Sequence, residues 1–426
     1  MDQHVLQTLV LVVAIAALSP FISDLSKRWT KIPGVVVEII LGIIIGPHVL
    51  GWASLSEVIN VLAEMGLVFL IFLAGFEVDL QQVKGKPVKL ATYGWLCSLV
   101  LGTAVAFVLF ELHVTIGIRF VAIALTTTAI GTLLPILGDA GVLPTRFGAY
   151  ILAGGAMGEV GPIVAISLAL TSDNPGRTSL IIAGFVVMVV LAAYLATRPA
   201  PPKALHLISS TLHSSGQLGV RLSVLLCVLL VWIANRFDLD VLLGAFAAGM
   251  VARIFLVSQQ STVNDITEHD VDHRHEIQTR LESLGFGFFI PLFFVISGVK
   301  FNLGALGHPG TLLKIPMFVA LFLVVRGAPA LLLYRKELPV ASVRAFALLQ
   351  SAALPLVVVI TGIGVETGQM RSDNAAALVG AGLLSVVLFP IVGLALHAKD
   401  PDANEAPGST PDASMFSEWR RGESNP

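Results

Sequence analysis

Thirteen apolar runs, each long enough to cross a bilayer, follow one another along this chain and leave room for little else. They lie near residues 4–23, 33–50, 60–77, 88–112, 117–138, 147–171, 178–197, 218–234, 240–257, 283–299, 311–334, 343–364 and 374–397. A hydrocarbon core about 30 Å thick is spanned by about 20 apolar residues in a helix. Open sheet edges are not tolerated in lipid, so helices are the expected form. Composition agrees: 13% of residues are charged and the mean hydropathy is +0.87, whereas a soluble domain is nearer about 25% charged. The expectation is an all-α integral membrane protein. Asp2 and His4 precede the first run in place of a basic stretch, so that run reads as a retained helix and not a cleaved leader.

The basic residues alternate between loops. Nineteen of the 26 Lys and Arg fall on one side, six on the other, and Arg326 lies within a run. Basic loops mark the cytoplasmic face, which puts the N-terminus outside and the C-terminus inside. Residues 1–397 form the expected transmembrane domain, and the polar 398–426 a disordered cytoplasmic tail.

Two pairs of segments share nearly one offset. "MGLVFLIFLAGFEVDL" (65–80) resembles "GFFIPLFFVISGVKFNL" (287–303), with Gly75 falling on Gly298. "RFVAIALTTTAIGTLLPIL" (119–137) overlays "RAFALLQSAALPLVVVI" (344–360), with Arg119 falling on Arg344. The period covers seven helices, an odd number, so the second copy enters the membrane inverted. Inverted repeats with broken helices at mid-membrane are a mark of secondary transporters.

The second pair carries the signs of breaks. Thr126, Thr127, Thr128, Gly131 and Pro135 crowd one span; Gln350, Ser351, Pro355 and Gly362 crowd its counterpart. Proline removes a backbone donor and clashes with the preceding turn. Hydroxyls of Thr127 and Thr128, with carbonyls freed at a break, are oxygen ligands suited to a monovalent cation. The alternative is that they bond back to their own helix.

Glu159, in "GGAMGEVGP", is the acid of the next run. A lone carboxylate in hydrocarbon needs a partner, water or a proton. It can hold a proton or a cation, not both. Gly154, Gly155 and Gly158 are expected to admit another backbone closely. Arg326 stays protonated and is read as a counter-charge, either to a carboxylate or to the negative ends of broken half-helices. Glu38 has two readings, a cytoplasmic funnel or a structural hydrogen bond. Glu77 closes its helix and is read as solvated or Arg-paired. The segment 268–280, with three histidines among acids, reads as a solvated loop. No metal motif, nucleophile–base pair, cofactor site or basic footprint for nucleic acid is found, and Cys97 and Cys227, both in apolar runs, suggest no disulfide.

Several stretches together resemble the monovalent cation:proton antiporter superfamily, in the branch of Kef-type and bacterial Na⁺/H⁺ exchangers. They are "IPGVVVEIILGIIIGPHVLG", "EMGLVFLIFLAGFEVDL", "TTTAIGTLLPILGDAGVL" and "FIPLFFVISGV", and the likeness covers about residues 5–397. The resemblance implies two crossing broken helices in a core domain, an interleaved dimerisation domain, a homodimer in the lipid bilayer and elevator-like alternating access. Thr127 and Thr128 match the family's polar pair, Arg326 its basic residue and Glu159 its ion-binding aspartate. Gln350 and Ser351 are secondary candidates with Glu38 and Glu77. Two departures stand out: Gly158 precedes Glu159 where many members carry a second polar or acidic residue, and "QSAALP" replaces the Kef-type Gln-Gly-Gly-Glu. The expected function is electroneutral 1:1 exchange of Na⁺ or K⁺ for H⁺, not an enzymatic reaction. The alternatives are a non-transporting sensor or regulatory protein on the same scaffold, and a K⁺ efflux pathway.

Overall fold

A computed structural model describes residues 3–26, 32–77, 85–170, 175–198, 217–237, 239–258, 269–307 and 309–399, and among them it is helical throughout, without strands. The helices are α1 (Gln3–Ser26), α2 (Gly34–Ile45), α3 (Glu57–Glu77), α4 (Lys86–Glu111), α5 (Ile118–Leu125), α6 (Ile130–Asp139), α7 (Arg146–Leu170), α8 (Pro175–Ala196) and α9 (Leu218–Arg236). They continue with α10 (Val241–Ser258), α11 (His269–Leu284), α12 (Ile290–Lys300), α13 (Pro309–Phe322), α14 (Ala328–Leu333), α15 (Val340–Gln350), α16 (Pro355–Glu366) and α17 (Ser372–His397). Among the described residues nine helices are long and apolar enough to cross a membrane. Four shorter apolar ones, Gly34–Ile45, Ile118–Leu134, Ala183–Ala196 and Val241–Leu256, account for the remaining runs. The tail beyond residue 399 lies outside the described residues.

Two turns are wider than α-helical. Gly285–Phe289 joins α11 to α12, and Leu323–Gly327 joins α13 to α14, each as a π-helical turn. From His269 on, the segment read as a solvated loop at 268–280 is instead the start of α11. Its apolar residues Ile277, Leu281 and Leu284 recur at helical spacing, and Ile277 and Leu281 are buried. The charges around them hid this stripe.

The chain divides into two compact units. The first comprises Met1–Ser26, Gly34–Leu80 and Ile163–Phe301. Within lipid there is no hydrophobic drive between helices, so close approach at small residues carries the packing. In two helix pairs here a glycine on each side meets the other's backbone. A Cβ at Gly42 of α2 would run into the Val295 carbonyl of α12, and one at Gly298 of α12 into Ile39 of α2. A Cβ at Gly75 of α3 would meet Phe246 of α10, and one at Gly249 of α10 would meet Phe72 of α3. Gly75 and Gly298 are the two glycines matched by the repeat, so each crossing carries one of them. Glu38 is buried in this unit and accepts the Ser19 hydroxyl at 2.9 Å. Of its two readings, that hydrogen bond is the one found. At the end of α3, Arg253 donates to the Phe76 carbonyl at 3.0 Å, a cation on a helix C-terminus. The Glu77 side chain lies outside the described residues.

The second unit comprises Lys27–Pro33, Gln81–Pro162 and Asn302–Pro426. In it α4 packs on α5, α15 and α13 pack on α17, and α16 packs on α17 and α5. One end is held by Glu337, whose carboxylate meets Lys86 Nζ at 2.7 Å, Arg146 at 3.2 Å and the Tyr150 hydroxyl at 3.0 Å. The hydrogen bond from Lys86 holds the Glu337 carboxyl below the ordinary carboxylate range, against the opposing effect of its burial. At the first turn of α17, Lys314 binds Asp373 at 2.9 Å and Asn374 at 2.7 Å.

Candidate functional site

The expected breaks are present, and both lie in the second unit. The first runs from Thr126 to Ala129, between α5 and α6; the second from Ser351 to Leu354, between α15 and α16. Thr126 and Ser351 are counterparts in the repeat, so the two copies break at the same place. Pro355 opens α16, where its missing N–H costs nothing. Thr126 and Thr127 close α5: their hydroxyls donate to the Ile123 and Ala124 carbonyls at 2.7 and 2.9 Å. The same carbonyls also accept the Thr126 and Thr127 N–H groups, at 2.9 and 3.3 Å, so each threonine closes the last turn with both its amide and its hydroxyl.

Breaking a helix exposes amides and carbonyls that must be paired inside the protein. The two breaks pair with each other and with the helices on either side. Ala129 N–H donates to the Ala352 carbonyl at 2.8 Å, linking break to break. Ser385 of α17 accepts from the Ala353 amide at 3.0 Å, and its one hydrogen lies between the Ala353 carbonyl at 3.1 Å and the Gly382 carbonyl of its own helix at 2.8 Å. Thr128 N–H donates to the Gly158 carbonyl of α7 at 3.0 Å. That carbonyl is available because Pro162, four residues on, has no N–H to offer it.

Arg326 sits in the π-helical turn Leu323–Gly327 and is buried. Its Nε donates to the Thr128 hydroxyl at 3.1 Å and to the Gln350 carbonyl at 3.4 Å. Its Nη2 donates to the Thr128 hydroxyl at 2.8 Å, the Gly154 carbonyl at 3.2 Å and Gln350 Oε1 at 2.8 Å. Gln350 is the last residue of α15, so the guanidinium lies on a half-helix C-terminus, where a cation is favoured. Of the two roles considered for Arg326, this is the one the contacts describe. Gln350 is fixed in turn by donating its amide to the Ile151 carbonyl at 3.1 Å.

Glu159 is half-buried on α7. Its Oε1 accepts from Gly131 N–H at 3.4 Å, in the first turn of α6, where the helix dipole favours an anion. The acid thus faces the first broken helix.

The expected site residues are therefore brought together unequally. Thr128, Gln350 and Arg326 form one hydrogen-bonded group. The Thr128 hydroxyl donates to the Gln350 carbonyl at 2.6 Å while accepting from Arg326. Glu159 stands beside them on α7. Thr127 caps α5, and Ser351 bonds back to Ala347 at 2.7 Å. Glu38 belongs to the other unit.

At Gly154, Gly155 and Gly158, expected to admit another backbone, the nearest atoms belong to side chains, and at Gly158 the backbone of the first break also closes to hydrogen-bonding distance. A Cβ at Gly154 would lie 2.8 Å from Gln350 Cδ, at Gly155 2.7 Å from Ile130 and at Gly158 2.5 Å from Thr128 Cβ. Gly161 is covered by the Trp95 ring. Ser385 and Pro162 were not singled out in the sequence, although a lone hydroxyl in an apolar helix and a proline one turn after Gly158 are both visible there. Among the described residues no group of three or more His, Cys, Asp or Glu comes together to hold a metal.

Paired broken helices, tied break to break and backed by a buried arginine, define an inverted-repeat membrane protein of the antiporter fold. The chain belongs to the sodium/hydrogen exchanger family, whose transmembrane region matches residues 13–394. The same fold is found in the sodium proton antiporter MjNhaP1 of Methanocaldococcus jannaschii, with a TM-score of 0.63 and 16% identity over 93% of this chain and 97% of that one. YjbQ of Bacillus subtilis is 26% identical over 93% of this chain, which spans 64% of YjbQ's length. The Na(+)/H(+)-K(+) antiporter GerN of Bacillus cereus is 23% identical over 86% of this chain and 90% of its own.

Proposed function

We propose that this protein exchanges a monovalent cation, Na⁺ or K⁺, for a proton, with Glu159 carrying one or the other. The observation that carries this reading is the setting of the α7 acid. Glu159 faces the first turn of α6, while the place beside it, at Gly158, is filled by Thr128 and the Arg326 guanidinium. One carboxylate that holds either H⁺ or a cation moves the same charge in each direction, so the exchange is electroneutral and 1:1. The family, and the cations and proton in GerN's name, support the substrate class.

The same reading takes the second unit as the moving core of an elevator in a homodimer, with the basic loops on the cytoplasmic side. The test is the purified protein in proteoliposomes loaded with a pH-sensitive dye, challenged in turn with Na⁺, K⁺ and Li⁺. Wild type dissipates a proton gradient on addition of its cation, and Glu159→Gln does not. Exchange that survives in Glu159→Gln sinks the carrier role. Net transport driven by an imposed voltage sinks electroneutrality.

A further inference from the structure

In the second unit, Trp95 and Arg326 each keep a hydrogen-bond donor not used in the contacts above, and both residues line the same small cavity. Trp95 on α4 is 8% exposed, and its indole Nε1–H meets no acceptor among the described residues. The hydrogen bonds of Arg326 all leave from Nε and Nη2; Nη1 gives none to the described residues. Trp95, Arg326, Gly154, Tyr334, Phe346 and Gln350 border a cavity that leaves about 10 Å³ for the centre of a water molecule.

We propose that one water molecule is bound in this cavity and accepts hydrogen bonds from Trp95 Nε1 and Arg326 Nη1. A site of about 10–15 Å³ on this measure holds a single water, which needs two to four polar partners. Two donors call for an acceptor with two lone pairs. The water's own hydrogens then need acceptors, and Gly154, Gln350 and Tyr334, which carry carbonyl, amide and hydroxyl oxygens, are among the residues that line the same space. A halide would answer the donors and leave those acceptors unmatched. The water completes the solvation of a guanidinium whose protein partners are a hydroxyl, two carbonyls and an amide oxygen, with no carboxylate among them. It fixes Trp95 over Gly161, two residues beyond Glu159. Nothing in this depends on which cation the protein exchanges.

The test is a density map of the full-length protein, fine enough to show ordered water, for wild type and Trp95→Phe. The expected result is a peak within about 2.7–3.2 Å of both nitrogens in wild type, lost or displaced in the variant while α4 and α7 stay in place. An empty wild-type cavity overturns the proposal, as does a peak that Trp95→Phe leaves unmoved. If the variant does not fold, the wild-type peak and its two distances decide alone. A wild-type sample in bromide separates the two acceptors: anomalous signal at the peak would make it an anion site and overturn the assignment to water.

Discussion

The Thr128 amide lies 3.0 Å from the Gly158 carbonyl, and each is available to the other because a helix has been interrupted. The break after α5 releases the amide; Pro162 releases the carbonyl. One bond therefore disposes of two defects and holds the first break against the helix that carries Glu159.

Pro162→Ala would give residue 162 an N–H that competes for the Gly158 carbonyl. A net hydrogen bond contributes about 1 kcal/mol, so exchange should slow by a factor of about 5 while the protein still folds. Initial rates in proteoliposomes check this, and a rate equal to wild type would remove the proline from the account.

Gly158→Ala sets two effects against each other. Alanine is favoured over glycine in a helix by about 1 kcal/mol. Its Cβ would lie 2.5 Å from Thr128 Cβ and 2.9 Å from Arg326 Nη2, and overpacking of a fixed core costs about 1–3 kcal/mol. Arg326 is held by hydrogen bonds on several sides and has little freedom to withdraw, so the clash should win. The melting temperature in detergent should fall; a rise would show that Thr128 and Arg326 give way.

Ser385→Ala would strand the amide of Ala353 in the second break and remove a donor that its carbonyl shares with Gly382. Leaving buried polar groups unpaired costs about 1–3 kcal/mol each. The variant should melt lower and lose most of its exchange rate, while Ser385→Thr, which keeps the hydroxyl, should retain more of both. Equal behaviour of the two variants would mean that the hydroxyl does not hold the break.

Glu337 has a defined pH dependence. Its carboxyl is held below the ordinary range, chiefly by Lys86. A depressed folded-state pKa adds stability above the unfolded value, lost as pH falls through the folded one. Glu337→Gln should therefore melt below wild type at neutral pH, and the gap should close below about pH 4. A gap that persists in acid would assign the effect to packing of the side chain, which is 9% exposed.

The fold was legible because its signals are coarse. Apolar length gave thirteen runs, and proline with clustered polar residues gave the two breaks, from Thr126–Thr128 with Pro135 and from Gln350 and Ser351 with Pro355. The positions of Glu159 and Arg326 needed only the rarity of charge in hydrocarbon. What stayed hidden depends on phase. In segments that are apolar all round, periodicity does not say which way a residue faces, so the partners of Arg326 could not be read. A hydroxyl such as Ser385 usually bonds to its own helix, as this one does to Gly382, and no pattern marks one that also bridges to a neighbour. In α11 the failure was the reverse: the charges at 268–276 outweighed the stripe of Ile277, Leu281 and Leu284.

The π-helical turn at Leu323–Gly327 makes the position of Arg326 a matter of counting. A regular helix advances about 100° per residue, and a π-helical turn holds one residue more than its α-helical counterpart. Removing a single residue there would wind α13 into α14 without a flaw. It would also swing one flank about 100° against the other, so Arg326 and its neighbours could not all keep their present bearings. The charge that closes the end of α15 is thus held in place by an irregularity, and a smoother helix would be the poorer one.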